Sequence, residues 1–338
     1  MKVLIIGGTG LISTPLTRIL LERGHELTLF NRGVTDARIP DGATIVNGDR
    51  KDYPAFVKHM QSLPAFDCVI DMICFTPDDA QSLVDAFTGR CGHMIVCSTV
   101  DVYARPTPRF PIHESAPRGG VSNYGVNKAR CEENLLAVDE TSTFPVTIIR
   151  PAQTYGEGGA LIHSLGWSTS YIDRLRKGKP IIVHGDGKSL WVACHIDDVA
   201  TAFANAVGRP QTFGNCYNAT GEEWMTWDAY NRTVAEAIEV PLPRLVHIPT
   251  DLLCQADERA MICKFNFQFD NIFDTTAARR DLGFAYTIPF LEGARRTIAW
   301  LDANGRIENS DEDERYDAII SAWDRLGNDL LADVHKRT

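Results

Sequence analysis

At 338 residues and 44% apolar composition, the chain suits one large α/β domain with a smaller appended lobe. Its formal charge of −10 leaves little basic surface to neutralise phosphates, so a nucleic-acid partner is not expected. The nine cysteines form no CxxC pair and no Cys/His cluster at zinc spacing, and no apolar run reaches the roughly eighteen residues that span a bilayer; free thiols in a reducing cytoplasm, no metal and no membrane are expected.

The first predicted strand, 3–6, stops at two glycines, too soon for the apolar core of a secretory leader. Gly7-Gly8-Thr9-Gly10-Leu11-Ile12-Ser13 follows at once and opens a predicted helix over 14–23, with Pro15 in its first turn and Gly24 as its C-cap. Glycines between a strand and a helix let the backbone approach a pyrophosphate, whose charge is met by free N–H groups at the helix N-terminus. Gly7, Gly8, Thr9, Gly10, Leu11 and Ile12 are therefore candidate dinucleotide-binding residues, and Ser13 stands where a third glycine is usual.

Further strands are predicted at 27–30, 44–46, 68–71, 93–97 and 146–149, alternating with helical patterns as βαβ units of a parallel sheet do. The second ends in Phe30-Asn31-Arg32-Gly33. A carboxylate there would select NAD by holding the adenosine ribose; Asn31 and Arg32 instead welcome a 2′-phosphate, so NADP is favoured over NAD. Asp49, after the third strand, is placed to meet the adenine.

Past Pro151 the alternation fades, returning near 195–206 and 216–219, so the two lobes are expected to interleave. The predicted division is 1–152 plus about 192–220 as a dinucleotide-binding Rossmann domain, about 153–191 and 221–300 as the substrate lobe, and 301–338 as a C-terminal helical tail. The expected fold class is α/β, a Rossmann doubly wound parallel sheet with a smaller, interleaved C-terminal substrate lobe.

Tyr124-Gly-Val-Asn-Lys128 puts a phenol and an ammonium at i and i+4, on one face of a helix expected to run to about Asp139. A tyrosine keeps its proton to about pH 10, so serving as a base near neutrality needs a positive charge beside it, which Lys128 and an oxidised nicotinamide would supply. The strand at 93–97 runs into Ser98-Thr99-Val100-Asp101, and residues at the carboxyl ends of parallel strands line the ligand crevice. Thr99 is expected to hold the substrate oxygen that Tyr124 protonates or deprotonates.

On these motifs, with Arg150-Pro151, Tyr155-Gly156, His184 to Gly187, His195 to Val199 and Asp274 to Phe284 in the same order, the chain resembles an extended or atypical short-chain dehydrogenase/reductase of the NAD-dependent epimerase/dehydratase superfamily. The resemblance covers about residues 1 to 300. It implies that Thr99, Tyr124 and Lys128 carry catalysis, with Lys128 also holding the nicotinamide ribose, and that His195, Asp197 and Asp198 start a helix rather than bind metal. By position Tyr155, His163, Trp167 and Tyr171 should face the substrate. Trp191 stands where nucleotide-sugar epimerases carry a diphosphate-gripping arginine and could stack on a sugar face, while a second such cation falls near Lys264. Asp101 takes the place of the acid that sugar dehydratases use.

The expected activity is NAD(P)-dependent oxidation, reduction, epimerisation or dehydration of a hydroxyl-bearing, sugar-like small molecule, with a homodimer as the candidate assembly. The rival, suggested by similarity in texture to the branch that includes chloroplast stem-loop RNA-binding proteins, is a dinucleotide-fold protein that binds RNA or senses redox state.

Overall fold

The computed structural model describes residues 1–34, 39–139 and 144–336. The chain divides into two compact units, the first made of Met1–Tyr155, Val192–Glu223 and Ile272–Pro289, the second of Gly156–Trp191, Trp224–Asn271 and Phe290–Thr338.

The first unit is built on a seven-stranded parallel sheet. Its strands are β1 (Lys2–Ile6), β2 (Glu26–Asn31), β3 (Thr44–Asn47), β4 (Cys68–Asp71), β5 (Met94–Cys97), β6 (Val146–Pro151) and an edge strand, Asn215–Ala219. They lie in the order edge strand, β6, β5, β4, β1, β2, β3, with every pairing parallel. Because side chains alternate along a strand, Val3 and Ile5 enter one core with Leu16 and Leu20 of α1 (Ser13–Glu22). Leu4 and Ile6 enter another with Phe56 and Met60 of α2 (Tyr53–Ser62), Leu83 of α3 (Pro77–Phe87) and Leu135 of α4 (Asn123–Asp139). Burying each such side chain is worth about 1.5–3 kcal/mol, which is why runs apolar on both faces become central strands.

Residues 272–289 return to this unit, although the sequence reading gave them to the second lobe. Two buried polar groups explain the return. The Asn218 amide donates to the carbonyls of Ile112 and Asp274, and the Asp198 carboxylate accepts from the backbone N–H groups of Thr287 and Ile288. Left without those partners, each would cost about 1–3 kcal/mol.

In the second unit, strand Ile181–His184 pairs parallel with Leu245–Ile248, and Leu190–Trp191 pairs antiparallel with Met225–Thr226. Its aromatic core joins Trp191, Trp227, Tyr230 and Phe267. The C-terminal helical segment belongs to this unit: in the helix Glu314–His335, Tyr316 and Ile320 are buried, and the Tyr316 oxygen accepts from the Ile182 N–H. Only the later turns stand clear, with Leu326 and Leu330 exposed.

Candidate functional site

The glycine loop leaves β1 on a turn that only glycine accepts. Gly7 has φ +83°, and a Cβ there would lie 2.7 Å from the Ile73 side chain. Ser13 compensates for the missing third glycine by donating its hydroxyl to the Gly7 carbonyl at 2.7 Å, which closes the loop onto the first turn of α1. Beside it opens a cavity of about 400 Å3, lined by Gly7, Gly10, Asn31, Arg32, Asp49 and Phe75 among others.

This cavity fits an adenosine-bearing dinucleotide on a ground internal to the fold. Asn31 is 9% exposed, and both polar atoms of its amide lack a hydrogen-bond partner among the described residues. A buried amide without partners is destabilising unless something completes it, and Asn31 lines the cavity. Arg32 is exposed at the same wall. Asp49 is exposed and accepts from the Lys51 N–H, a local turn that leaves it facing the cavity.

Arg50, which sequence reasoning passed over, is buried beneath the cavity. It pairs with Asp71 at 2.8 Å and donates to the Asp79 carbonyl. Burial pushes the Asp71 carboxyl up despite that guanidinium. At Asp79 burial is outweighed by the Lys51 ammonium, the Phe75 N–H and Arg50, which together hold the carboxyl below its ordinary value.

At the carboxyl end of β5 the chain turns through a short 3-10 segment, Val100–Val102, capped by the Thr99 hydroxyl. Helix α4 approaches this turn so closely that a Cβ on Gly125 would collide with the Asp101 carbonyl. That approach brings the Thr99 hydroxyl next to the Tyr124 phenol. Thr99, Tyr124, Lys128 and Asp101 thus gather in one place.

Of the two positive charges expected to acidify Tyr124, the Lys128 ammonium does not act on it in this arrangement. Burial, with the Cys97 thiol and Asp101 carboxylate nearby, pushes the phenol above its ordinary value, and the neighbouring Thr99 hydroxyl works the other way. The Lys128 ammonium is turned elsewhere. It donates to the carbonyls of Cys74 and Cys97 at 2.8 and 2.5 Å and lies 5.1 Å from the centre of the Phe75 ring.

Behind this group sits a buried charge network. Glu132, one turn past Lys128, accepts from the Ser98 hydroxyl and from two nitrogens of Arg150. Arg150 also donates to the Tyr103 oxygen, so both ends of the segment presenting Thr99 are anchored. The i+4 spacing of Lys128 and Glu132 was the visible signal for it.

Four of the expected substrate contacts, Trp191, Tyr155, His163 and Tyr171, are buried instead. Trp191 is 2% exposed, its ring packed on Trp227 and Tyr230, which leaves no face to stack on a sugar. Tyr155 is 1% exposed and packs edge-on against the His195 ring. Lys264 is exposed and pairs with Asp251 at 3.0 Å, in the second unit with Trp191. Among the residues expected by position to face the substrate, His163 and Tyr171 are buried and stacked on each other, while Trp167 is exposed. His195 caps the helix Ile196–Ala206 by accepting from the Asp197 N–H.

Comparison with known proteins bears directly on this arrangement. Residues 3–219 match the family described as "NAD dependent epimerase/dehydratase family". The chain is 30% identical to the chloroplast stem-loop binding protein of 41 kDa b from Arabidopsis thaliana, over 73% of this chain and 65% of that one, less than two thirds of the relative's length. It is 24% identical to 2'-dehydrokanamycin reductase from Streptomyces kanamyceticus, over 81% of this chain and 77% of the relative. The fold matches that of a UDP-glucuronic acid 4-epimerase from Bacillus cereus in complex with NAD, with a TM-score of 0.71 and 16% identity over 90% of this chain and 99% of that one. With its glycine loop, parallel sheet and Thr99, Tyr124, Lys128 group, the chain belongs to the NAD dependent epimerase/dehydratase family of enzymes.

Proposed function

We propose that this protein is an NADP-preferring oxidoreductase that reduces a ketone of a sugar or sugar derivative, or oxidises the matching alcohol. The observation that carries the reading is that the Thr99 and Tyr124 hydroxyls are neighbours at a strand end, in the same unit as a cavity that opens on the glycine loop. A phenol held above its ordinary value keeps its proton at neutral pH, so Tyr124 stands as an acid toward a carbonyl oxygen. When bound, a reduced nicotinamide supplies the hydride for the carbonyl carbon. Thr99 steadies the substrate oxygen while Tyr124 gives it a proton; in the opposite direction Tyr124 receives the hydroxyl proton. Gly7 to Ile12, Asn31, Arg32 and Asp49 would hold the dinucleotide, with Lys128 at its ribose.

Support for NADP comes from an amide rather than a carboxylate at the end of β2 and from the exposed guanidinium next to it. Support for a sugar ketone comes from the reductase among the relatives, whose printed name describes a dehydro-aminoglycoside. Nine free thiols suit a reducing compartment. The test is consumption of NADPH against a panel of keto-sugars. Tyr124→Phe is expected to lose turnover by roughly 100-fold or more while still binding NADPH, and an unchanged rate refutes the assignment. Arg32→Ala should lower kcat/KM for NADPH by roughly 10-fold or more, the worth of a charge-assisted bond, and leave NADH unaffected.

A second reading, RNA binding, is favoured by the stem-loop binding relative alone. Salt-dependent RNA retention, with no NADPH binding, would replace the first reading with it.

A further inference from the structure

Phe75 presents an anomaly that the proposed reaction does not absorb. A large apolar side chain 42% exposed gives up much of its burial energy, yet its backbone is held as firmly as any in the unit. The buried Asp79 carboxylate accepts from the N–H groups of Phe75 and Thr76, both at 2.9 Å. The same carboxylate accepts from Lys51 Nζ at 2.8 Å and from the Tyr53 hydroxyl at 3.2 Å. Thr76 and Asp79 form a capping box at the start of α3, with Pro77 in its first turn, which further fixes the approach of the chain. An exposed aromatic ring on a pinned backbone is a placed surface, not a loose one.

Its surroundings say what it is placed for. Phe75 lines the cavity that begins at Gly7 and Gly10. Its ring centre lies 6.4 Å from that of Tyr124, itself 42% exposed. Its face lies 5.1 Å from Lys128 Nζ. An ammonium has three N–H donors; two of those on Lys128 go to the Cys74 and Cys97 carbonyls, and the Phe75 face is a further neighbour besides the Asp71 carboxylate, at a distance where a cation and a ring attract.

We propose that Phe75 is a cofactor-contacting residue of this site: its ring packs against the dinucleotide and at the same time positions the Lys128 ammonium beside it. The proposal rests on the dinucleotide reading above and adds a residue to it. The requirement is for an aromatic face, not merely for bulk, because bulk alone would fill the wall without holding the ammonium.

The test is titration of the full-length protein with NADPH and with NADH, following binding rather than turnover, with thermal melting to confirm that each variant folds. Phe75→Ala should weaken binding roughly 3- to 10-fold, the loss expected for an aromatic packing contact. Phe75→Leu should weaken it nearly as much, while Phe75→Tyr should restore it. Phe75→Trp should bind normally and add sensitised nicotinamide emission on indole excitation, above the background of the six native tryptophans. Wild-type affinity in Phe75→Ala, or full rescue by Phe75→Leu, overturns the proposal. Wild-type protein that binds neither dinucleotide overturns the parent reading first, and the wild-type titration separates the two failures.

Discussion

Charges are used in opposite ways in the two units. Under the candidate site they are buried and interlocked: Arg150 and Glu132 are 1% and 2% exposed at 2.6 Å, and Arg50 and Asp71 are 3% and 0% exposed at 2.8 Å. Around the C-terminal segment, where Arg174 and Asp257 are buried, most pairs are open to solvent, as in Lys177 with Asp311, Arg244 with Asp324 and Arg176 with Asp302. A buried pair is costly to assemble and more costly to break, because a lone survivor has no water to turn to. An exposed pair is screened and holds by number. The first arrangement suits side chains that must keep one position beside a reaction; the second suits a segment that only has to stay attached.

Removing the buried acid should break this contrast most visibly. Glu132→Ala strands Arg150 and is expected to cost about 3–5 kcal/mol, read by urea denaturation, whereas a cost no larger than that of a surface substitution would show the network to be dispensable. Trp191→Ala should cost about 3 kcal/mol through the cavity it leaves without altering KM for any keto-sugar that the protein turns over. A raised KM at unchanged stability would instead return Trp191 to the substrate.

Acid should act on both units, and more on the second. Burial lowers His93 in the first unit, and His163 and His184 in the second, from 6.5 to about 4, and His25 in the first unit is lowered as well. Between those values the unfolded chain binds protons that the folded one refuses, so stability is constant above pH 6.5 and falls as pH drops toward 4. The carboxylates held low by basic partners, such as Asp173 and Asp313, keep their contribution until the pH falls below their ordinary range. Hydrogen exchange at pH 7 and pH 5 should show the second unit loosening further. Replacing His163 with glutamine should flatten its response. The smallest effect is expected from Asp311→Asn: a slight loss of melting temperature in dilute buffer that disappears at high salt.

Much of the first unit was legible because its signals are local. A glycine loop between strand and helix, six short apolar strands and a Tyr-Lys spacing are each read within a few residues, and the structure places β1 to β6 within a residue or two of expectation. What escaped depends on packing between distant segments. Trp191 looks identical as a stacking platform or a core residue until Trp227 and Phe267 close around it. Lys128 could be put on the right helix face, but its turn toward the Cys74 and Cys97 carbonyls depends on two strand ends. Phe75 drew no notice because an exposed aromatic is conspicuous only when exposure is known. The return of 272–289 hangs on single buried groups, Asn218 and Asp198, that carry no pattern.

The chain passes between its two units five times, after residues 155, 191, 223, 271 and 289, and this has a consequence for biosynthesis. During translation the six strands β1 to β6 emerge long before Asn215–Ala219, the strand that pairs with β6. Until then β6 presents an open flank of unpaired amides and carbonyls, the geometry that recruits stray strands. A fragment ending near residue 155 would carry that flank permanently, so a single cut cannot excise the first unit without leaving an open sheet edge.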